Sequence, residues 1–466
     1  MSSSLARPVQ SETTWLLGIC LSRVAFSLVF TTYSGSLTLL RGDWGMTASQ
    51  AGLVQSAWHV GYLVSLFTVG ILADRYGAKR TFLWASLAAG ASALLFAVFA
   101  RDFWSGLLLY GLTGLASGGS YTPGLAIVAQ RIGPGRRGRA MGWFIASSSA
   151  GYALSLVLSS ALIRFSGWQA AFLVTCLGPG IGAAVAWWVL RDTANVVNPL
   201  PPDHADGPAG SARRLASRDR GGSPPSAFRE APAALLAVWR NRPAMLIIWG
   251  YVFHSWELLA LWAWLPAYLT AAFAFSAGPG AGTLAAGVAG ASLGAASLGA
   301  ASLGALSSAL TYVTAMLGSI TGGSLSDKFG RTAVILAMSL TSLACAFAFG
   351  WMIGLPPLLL LLVALLFNFA GIGDSSVYST AVAELVPARY LGAAYSLRSV
   401  LGFGVGAVSP WVFGVVLDAA REGGQAGSWA WGLAWSTLGA GALLGPLVTW
   451  RLRRLPEAVK MANGLR

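Results

Sequence analysis

Long apolar runs alternate with short polar breaks along almost the whole chain. Six runs occupy the first part, near 14–39, 50–73, 82–100, 104–130, 140–163 and 168–190. Six more follow, near 245–272, 300–323, 332–352, 357–383, 393–418 and 428–452. A helix needs roughly 20 apolar residues to cross a bilayer, so each run predicts one crossing. The stretch between the sixth and seventh runs, 191–243, is rich in Pro, Gly, Ser and Arg and poor in bulky apolar residues. Such a segment cannot bury enough surface to fold alone. The pattern therefore predicts a first bundle over 1–190, a linker over 191–243 and a second bundle over 244–466.

The breaks carry an internal repeat. Gly70 to Arg80 reads GILADRYGAKR, and Gly323 to Arg331 reads GSLSDKFGR about 253 residues later. In the first copy, Gly70 predicts close approach of a neighbouring helix, and Gly77 permits a turn that a side chain would resist. Asp74 can accept hydrogen bonds from a helix N-terminus or an arginine. Gly118-Gly119-Ser120 aligns with Ile372-Gly373-Asp374 at an offset of about 254, and Pro134 aligns with Pro387. The first and seventh runs align only at about 231. The difference falls on the Gly/Ala/Ser/Leu tract at 275–304, read as an insertion lengthening the eighth helix or the loop before it.

The two loops resemble the signature between the second and third helices of the major facilitator superfamily of secondary transporters, roughly Gly-x-Leu-Ala-Asp-Arg-x-Gly-Arg-Lys. The chain departs at Ala78, where the pattern has a base, while the second copy keeps Arg331 there. The resemblance implies an all-α polytopic membrane protein of two six-helix, pseudo-symmetric bundles that works by alternating access as a monomer. It also implies a cytoplasmic gate built from Gly70, Asp74, Arg75, Gly77, Gly323, Asp327, Lys328, Gly330 and Arg331. Many proton-coupled exporters of that family carry an arginine where this chain has Tyr110. They also carry Gly-Pro-x-x-Gly-Gly where this chain reads Ser147-Ser-Ser-Ala-Gly-Tyr-Ala-Leu. Both departures argue against drug/proton antiport.

Composition agrees with a membrane solvent. Hydrophobic residues make up 56% and charged residues only 10%, against about a quarter charged in soluble domains. The net charge of +14 does not mark a nucleic-acid binder, because the bases sit in short loops on alternate sides. One side collects Arg75, Lys79, Arg80, Arg131, Arg136, Arg191, Lys328, Arg331, Arg389, Arg451 and others, and the other has only Arg41, Arg101, Arg164 and Arg421. The positive-inside rule then predicts an inner-membrane protein with both termini and the linker cytoplasmic. The first run is too long for a signal-peptide core. Cys20, Cys176 and Cys345 stand alone in apolar runs and predict neither disulfide nor metal centre. No phosphate-binding loop or catalytic constellation is present, so the chain is expected to be no enzyme, to need no cofactor, and to draw energy from a gradient.

Ionisable residues inside a span are costly and default to function. Arg23 lies roughly 13 Å into the first helix at 1.5 Å per residue, and its pseudo-symmetric counterpart is His254. Glu257 follows at i+3, on the same helix face. Arg23 and His254 are expected to face each other across a central cavity, with an Arg23–Glu257 ion pair that either locks the bundle or is released when Glu257 is protonated. An Asp374–Arg398 pair is predicted between the tenth and eleventh helices. His59 with Trp58 reads as hydrogen-bonded packing. Tyr251, Trp256, Trp262 and Trp264 could line the cavity or pack against lipid and helices, and Tyr121 and Asn368 complete the substrate-facing set. The leading reading is uptake of a small organic or inorganic anion with a proton. Arg23, His254 and Arg398 bind the solute, and Glu257 or Asp374 takes the proton. Efflux of amphipathic compounds is the alternative. A non-transporting receptor signalling through the linker is a third reading, from another class.

Overall fold

A computed structural model describes residues 11–195, 227–276, 295–424 and 427–466. The first crossing, α1 (Glu12–Asp43), opens on Ser11, whose hydroxyl accepts the Thr14 N–H at 3.1 Å. It is interrupted by a 3₁₀ segment at Ser27–Val29. Next come α2 (Ala48–Tyr76), α3 (Ala78–Phe99) and α4 (103–131, broken at Gly118–Ser120). The helical stretch Ala140–Val189 has 50 residues, about 75 Å of helix against a hydrocarbon core of about 30 Å. Gly167, at φ +75, reverses the chain inside it, a conformation open mainly to glycine. It is therefore two crossings, α5 (134–166) and α6 (168–189).

The second half repeats the scheme: α7 (Arg242–Ser276), α8 (Ala295–Phe329), α9 (Arg331–Met352), α10 (Pro357–Leu385), α11 (Leu391–Glu422) and α12 (Gly427–Arg453). Nine helices among the described residues are long and apolar enough to cross a membrane. Counting the α5–α6 reversal, and adding α2 and α4, gives the twelve crossings the apolar runs predict.

Each bundle is knitted by glycines set against a neighbouring backbone. A Cβ at Gly61 would meet the Gly111 carbonyl at 2.2 Å, and one at Gly114 the Trp58 carbonyl at 2.0 Å, so α2 and α4 touch main chain to main chain. In the second bundle, a Cβ at Gly318 or Gly322 of α8 would meet the Phe369 or Gly373 carbonyl of α10 at 2.3 or 1.9 Å. Lipid offers no hydrophobic drive between helices, so close packing of small residues takes its place.

The bundles meet on the face opposite the two repeat loops, called here the far face. The Asp418 carboxylate of α11 accepts the N–H groups of Ala48 and Ser49 at the start of α2, at 2.8 and 2.6 Å. Gly52 and Gly414 leave room for that approach, since a Cβ at either would meet the other helix's backbone carbonyl at 2.2 Å. Between α5 and α8, the Ser160 and Ser302 hydroxyls lie 2.9 Å apart, and Leu156 packs on Ala305 and Ala309. Midway across, Tyr62 of α2 meets Phe403 of α11 at 5.5 Å. Beyond that level, towards the basic face that carries the repeat loops, the described residues show no hydrogen bond, ion pair or ring contact between the bundles.

Several expectations change on that face. Gly77 and Gly330 do turn the chain at φ +87 and +93, but a Cβ at Gly70 would meet nothing within 4 Å and at Gly323 only Ser376 at 3.7 Å. Close approach is not what Gly70 provides here. Among the described residues, no hydrogen bond or ion pair joins either loop to the other bundle. Arg331 joins Asp327 (2.5 Å) to Glu384 of α10 (2.8 Å), all within the second bundle. Lys328 is exposed, and Arg75 lies over the Tyr76 ring at 5.4 Å. The Asp74 side chain lies outside the described residues.

Both loops are instead closed by the chain that follows the sixth helix of their own bundle. Asn195 donates to the Tyr76 carbonyl at 2.7 Å and accepts the Arg80 N–H at 3.3 Å, and Lys79 bonds the Leu190 and Thr193 carbonyls. In the second half, the Arg466 carbonyl accepts the Thr332 N–H at 3.3 Å. The linker is not structureless throughout: Ala227–Arg240 is a helix, and Val238 is buried against the second bundle. The tract at 275–304 is helical from Ala295 on, while its part at 277–294 lies outside the described residues.

Candidate functional site

The candidate site lies where α1, α4 and α10 lose regular helix, beside the unbroken α7. The Ser27–Val29 segment interrupts α1. The Gly118–Ser120 segment of α4 and the Asp374 junction of α10 break at equivalent places, 254 residues apart. Irregular backbone at membrane depth survives where protein or a cavity satisfies it.

Arg23 is 5% exposed. Its Nε donates to the Ser148 hydroxyl of α5 at 2.8 Å, and Nη1 donates to the Ser120 hydroxyl at the α4 break. The rings of Phe26, Tyr121 and Phe144 surround the guanidinium at 5.6 to 5.8 Å. Among the described residues no carboxylate lies within 4 Å of it. The predicted Arg23–Glu257 pair is therefore absent: serines of its own bundle hold the arginine.

The second bundle repeats the contact with other chemistry. His254 Nδ1 lies 2.9 Å from Asp374 Oδ1, and His254 and Asp374 are the repeat partners of Arg23 and Ser120. Glu257, one turn along α7, accepts the Ser342 hydroxyl of α9 through Oε2 at 3.1 Å. Its Oε1 and His254 Nε2 are buried without a hydrogen-bond partner among the described residues. The predicted Asp374–Arg398 pair is also not formed. Arg398 donates to the Ser379 hydroxyl at 2.5 Å and lies over the Tyr251 ring at 4.4 Å. Tyr251 in turn stands 5.5 Å from the His254 ring. Tyr121 is within electrostatic range of Arg23 in its own bundle and of Arg398 and Tyr251 across the divide.

An aromatic cluster lies on the far-face side of these buried groups and forms a roof over them. Phe30 stacks on Tyr152 at 4.2 Å, and Trp262 approaches Phe30, Tyr152 and Tyr312 at 5.8 Å each. Asn368 sits behind the roof, fully buried. It accepts the Trp262 indole N–H at 3.2 Å and donates to Thr311 at 2.8 Å. Its side-chain amide is thus taken up by Trp262 and Thr311. Trp256 points away, donating to the Thr437 carbonyl of α12 at 3.0 Å and filling the space beside Gly441. Trp264 is sealed against Phe413 and bonds the Pro410 carbonyl. His59 pairs with Gln55 at 3.3 Å and packs on Trp58.

Ser120, Ser148, Ser342, Ser379, Phe30, Tyr152 and Tyr312 are the participants that sequence reasoning missed. The Gly-Gly-Ser break was a signal for Ser120. The others are ordinary residues until a neighbour faces them.

Two inward-facing basic and acidic groupings, split between pseudo-symmetric bundles closed on one side, define a secondary transporter. The chain belongs to the Major Facilitator Superfamily, whose family model matches residues 19–311. It is similar to a probable sulfoacetate transporter of Cupriavidus necator, with 25% identity covering 88% of each chain. It is also similar to a gallate transporter of Pseudomonas putida, with 28% identity over 56% of this chain and 60% of that one. Among solved structures, it matches an inward-facing bacterial homologue of the human lysosomal transporter Spinster (TM-score 0.69, 16% identity, 95% and 97% covered). A D-xylose–proton symporter matches equally well (TM-score 0.68, 14% identity, 96% and 98% covered). The protein is thus a multi-pass membrane transporter and not an enzyme.

Proposed function

We propose that the protein imports a small organic anion, carrying a carboxylate or sulfonate, together with protons across the inner membrane. The observation that carries this reading is Arg23: a buried guanidinium braced by two serines and left without a carboxylate among the described residues. A buried cation of that kind lacks a counter-charge, and a solute anion supplies one. The names of the relatives, a sulfoacetate and a gallate transporter, point to the same solute class. The solute sits between Arg23 and Tyr121 on one bundle and Arg398 and Tyr251 on the other, beneath the Phe30–Tyr152–Trp262 roof.

His254, Asp374 and Glu257 take the proton. Protonating this acidic pocket removes negative charge near Arg398 and strengthens its hold on the anion. By linkage, the bound anion favours protonation. The coupling runs through Tyr251 and Arg398 rather than through an Arg23–Glu257 pair. With the repeat loops placed in the cytoplasm, as the basic loops favour, the described state faces inward, and both termini are cytoplasmic. The monomer suffices, since both halves of the site lie in one chain.

The test is uptake into proteoliposomes, driven by an inwardly directed proton gradient, across a panel of small carboxylates and sulfonates. One or more should accumulate, and Arg23→Ala should abolish that uptake while leaving the protein folded. Undiminished uptake by that variant would sink the proposal.

A further inference from the structure

A second basic pocket lies on the far face, apart from the central site. It is a cavity of about 20 Å³ lined by Thr38 and Arg41 of α1, Thr270 of α7, Arg421 of α11, Trp431 of α12 and two alanines. Arg41 is 7% exposed, and its Nε is buried without a hydrogen-bond partner. The Arg421 guanidinium lies 5.8 Å from the Trp431 ring centroid. Neither arginine has a carboxylate oxygen within 4 Å among the described residues. The Asp418 carboxylate accepts the Ala48 and Ser49 N–H groups and is within electrostatic range of both arginines without forming an ion pair with either, and Asp43 accepts the Trp168 indole N–H at 2.6 Å. Thr38 makes no side-chain hydrogen bond among the described residues.

Two guanidiniums from opposite bundles thus face one small cavity at the seam that closes the far face. Like charges there repel, and the repulsion opposes closure. We propose that this pocket binds a single halide-sized anion, which turns the repulsion into a bridge between Arg41 and Arg421. A volume of about 20 Å³ holds one small sphere, since a water needs roughly 10–15 Å³, and it excludes a carboxylate solute. An occupant that touches both bundles binds the far-face-closed state alone, so it stabilises that state by mass action. Far-side chloride is then a modulator of the transport cycle, distinct from the transported anion.

The probe is chloride. The melting temperature of the purified protein is followed as sodium chloride replaces sodium sulfate at matched ionic strength. Melting temperature should rise with chloride and saturate. Arg421→Gln should raise the half-saturating concentration by about tenfold or more, the worth of one charge-assisted hydrogen bond. Thr38→Val, which keeps the shape, should raise it less. Arg23→Ala should leave it unchanged, which separates this pocket from the central site. No chloride response, or an equal response in wild type, Arg421→Gln and Thr38→Val, would overturn the proposal.

Discussion

Arg23 and Glu257 are alike in burial and opposite in setting. Arg23 has hydroxyls at Ser120 and Ser148 for its N–H groups, whereas Glu257 has one hydroxyl, from Ser342, and one unpartnered oxygen. The two residues should therefore fail differently. Ser148→Ala removes one charge-assisted hydrogen bond, worth about 1.5–3 kcal/mol, and should weaken solute binding by about tenfold or more without touching the proton side. Glu257→Gln keeps the shape and the Ser342 contact but cannot exchange a proton. It should lose gradient-driven accumulation and keep solute counterflow, measured in the same vesicles. Loss of both activities together would separate Glu257 from proton coupling.

At the scale of elements, the repeat loops act as joints within each bundle. Gly330 turns at φ +93, and a Cβ there would meet the Arg466 carbonyl at 2.1 Å. Its first-half counterpart Gly77 turns at φ +87, with the Asn195 side chain in the equivalent place. At both positions ψ is extended, at 148 and 151, which with a positive φ is a nearly glycine-only region, so a non-glycine residue there costs about 1–3 kcal/mol in backbone strain. At Gly330 it must also displace main chain, whereas at Gly77 it displaces the amide end of a side chain. Gly330→Ala should therefore lower the melting temperature more than Gly77→Ala. At the α2–α4 contact, Gly114→Leu should be worse than either, because the Trp58 carbonyl cannot move aside. Equal melting temperatures for the three variants would contradict this account of the packing.

For the whole molecule, the state is decided at the seam between bundles. Ser160 and Ser302 have hydroxyls 2.9 Å apart across α5 and α8, and disulfide-bonded Cβ atoms lie about 3.5–4.5 Å apart. A Ser160→Cys/Ser302→Cys double variant should therefore cross-link on oxidation, lock the far face and stop transport. Reduction should restore it. Continued transport by the oxidised, cross-linked protein would mean that the far face does not open during the cycle.

The lengths and places of the twelve crossings, the internal repeat and the turning glycines were legible because each depends on local chemistry. Lipid demands a minimum apolar length, and a positive φ favours glycine whatever surrounds it. Depth was legible too, since 1.5 Å per residue fixes how far Arg23, His254, Glu257 and Asp374 lie along their helices. Direction was not. A helix turns about 100° per residue, so a residue's partner depends on how each helix is rotated and which neighbour it meets. For Trp256 both a cavity-lining and a helix-packing reading were open, and it faces α12, while Trp262, less than two turns on, carries the roof. Arg23 was paired with Glu257 across the molecule, yet it bonds serines beside it. The repeat had put Ser120 opposite Asp374 in the alignment, but only packing revealed that both contact the same positions, Arg23 and His254. The sequence by itself determined that this is a two-bundle membrane transporter with a few buried charges, because solvent and backbone rules act residue by residue. The tertiary structure decided which charges meet, because that is set by the rotation and contact of whole helices.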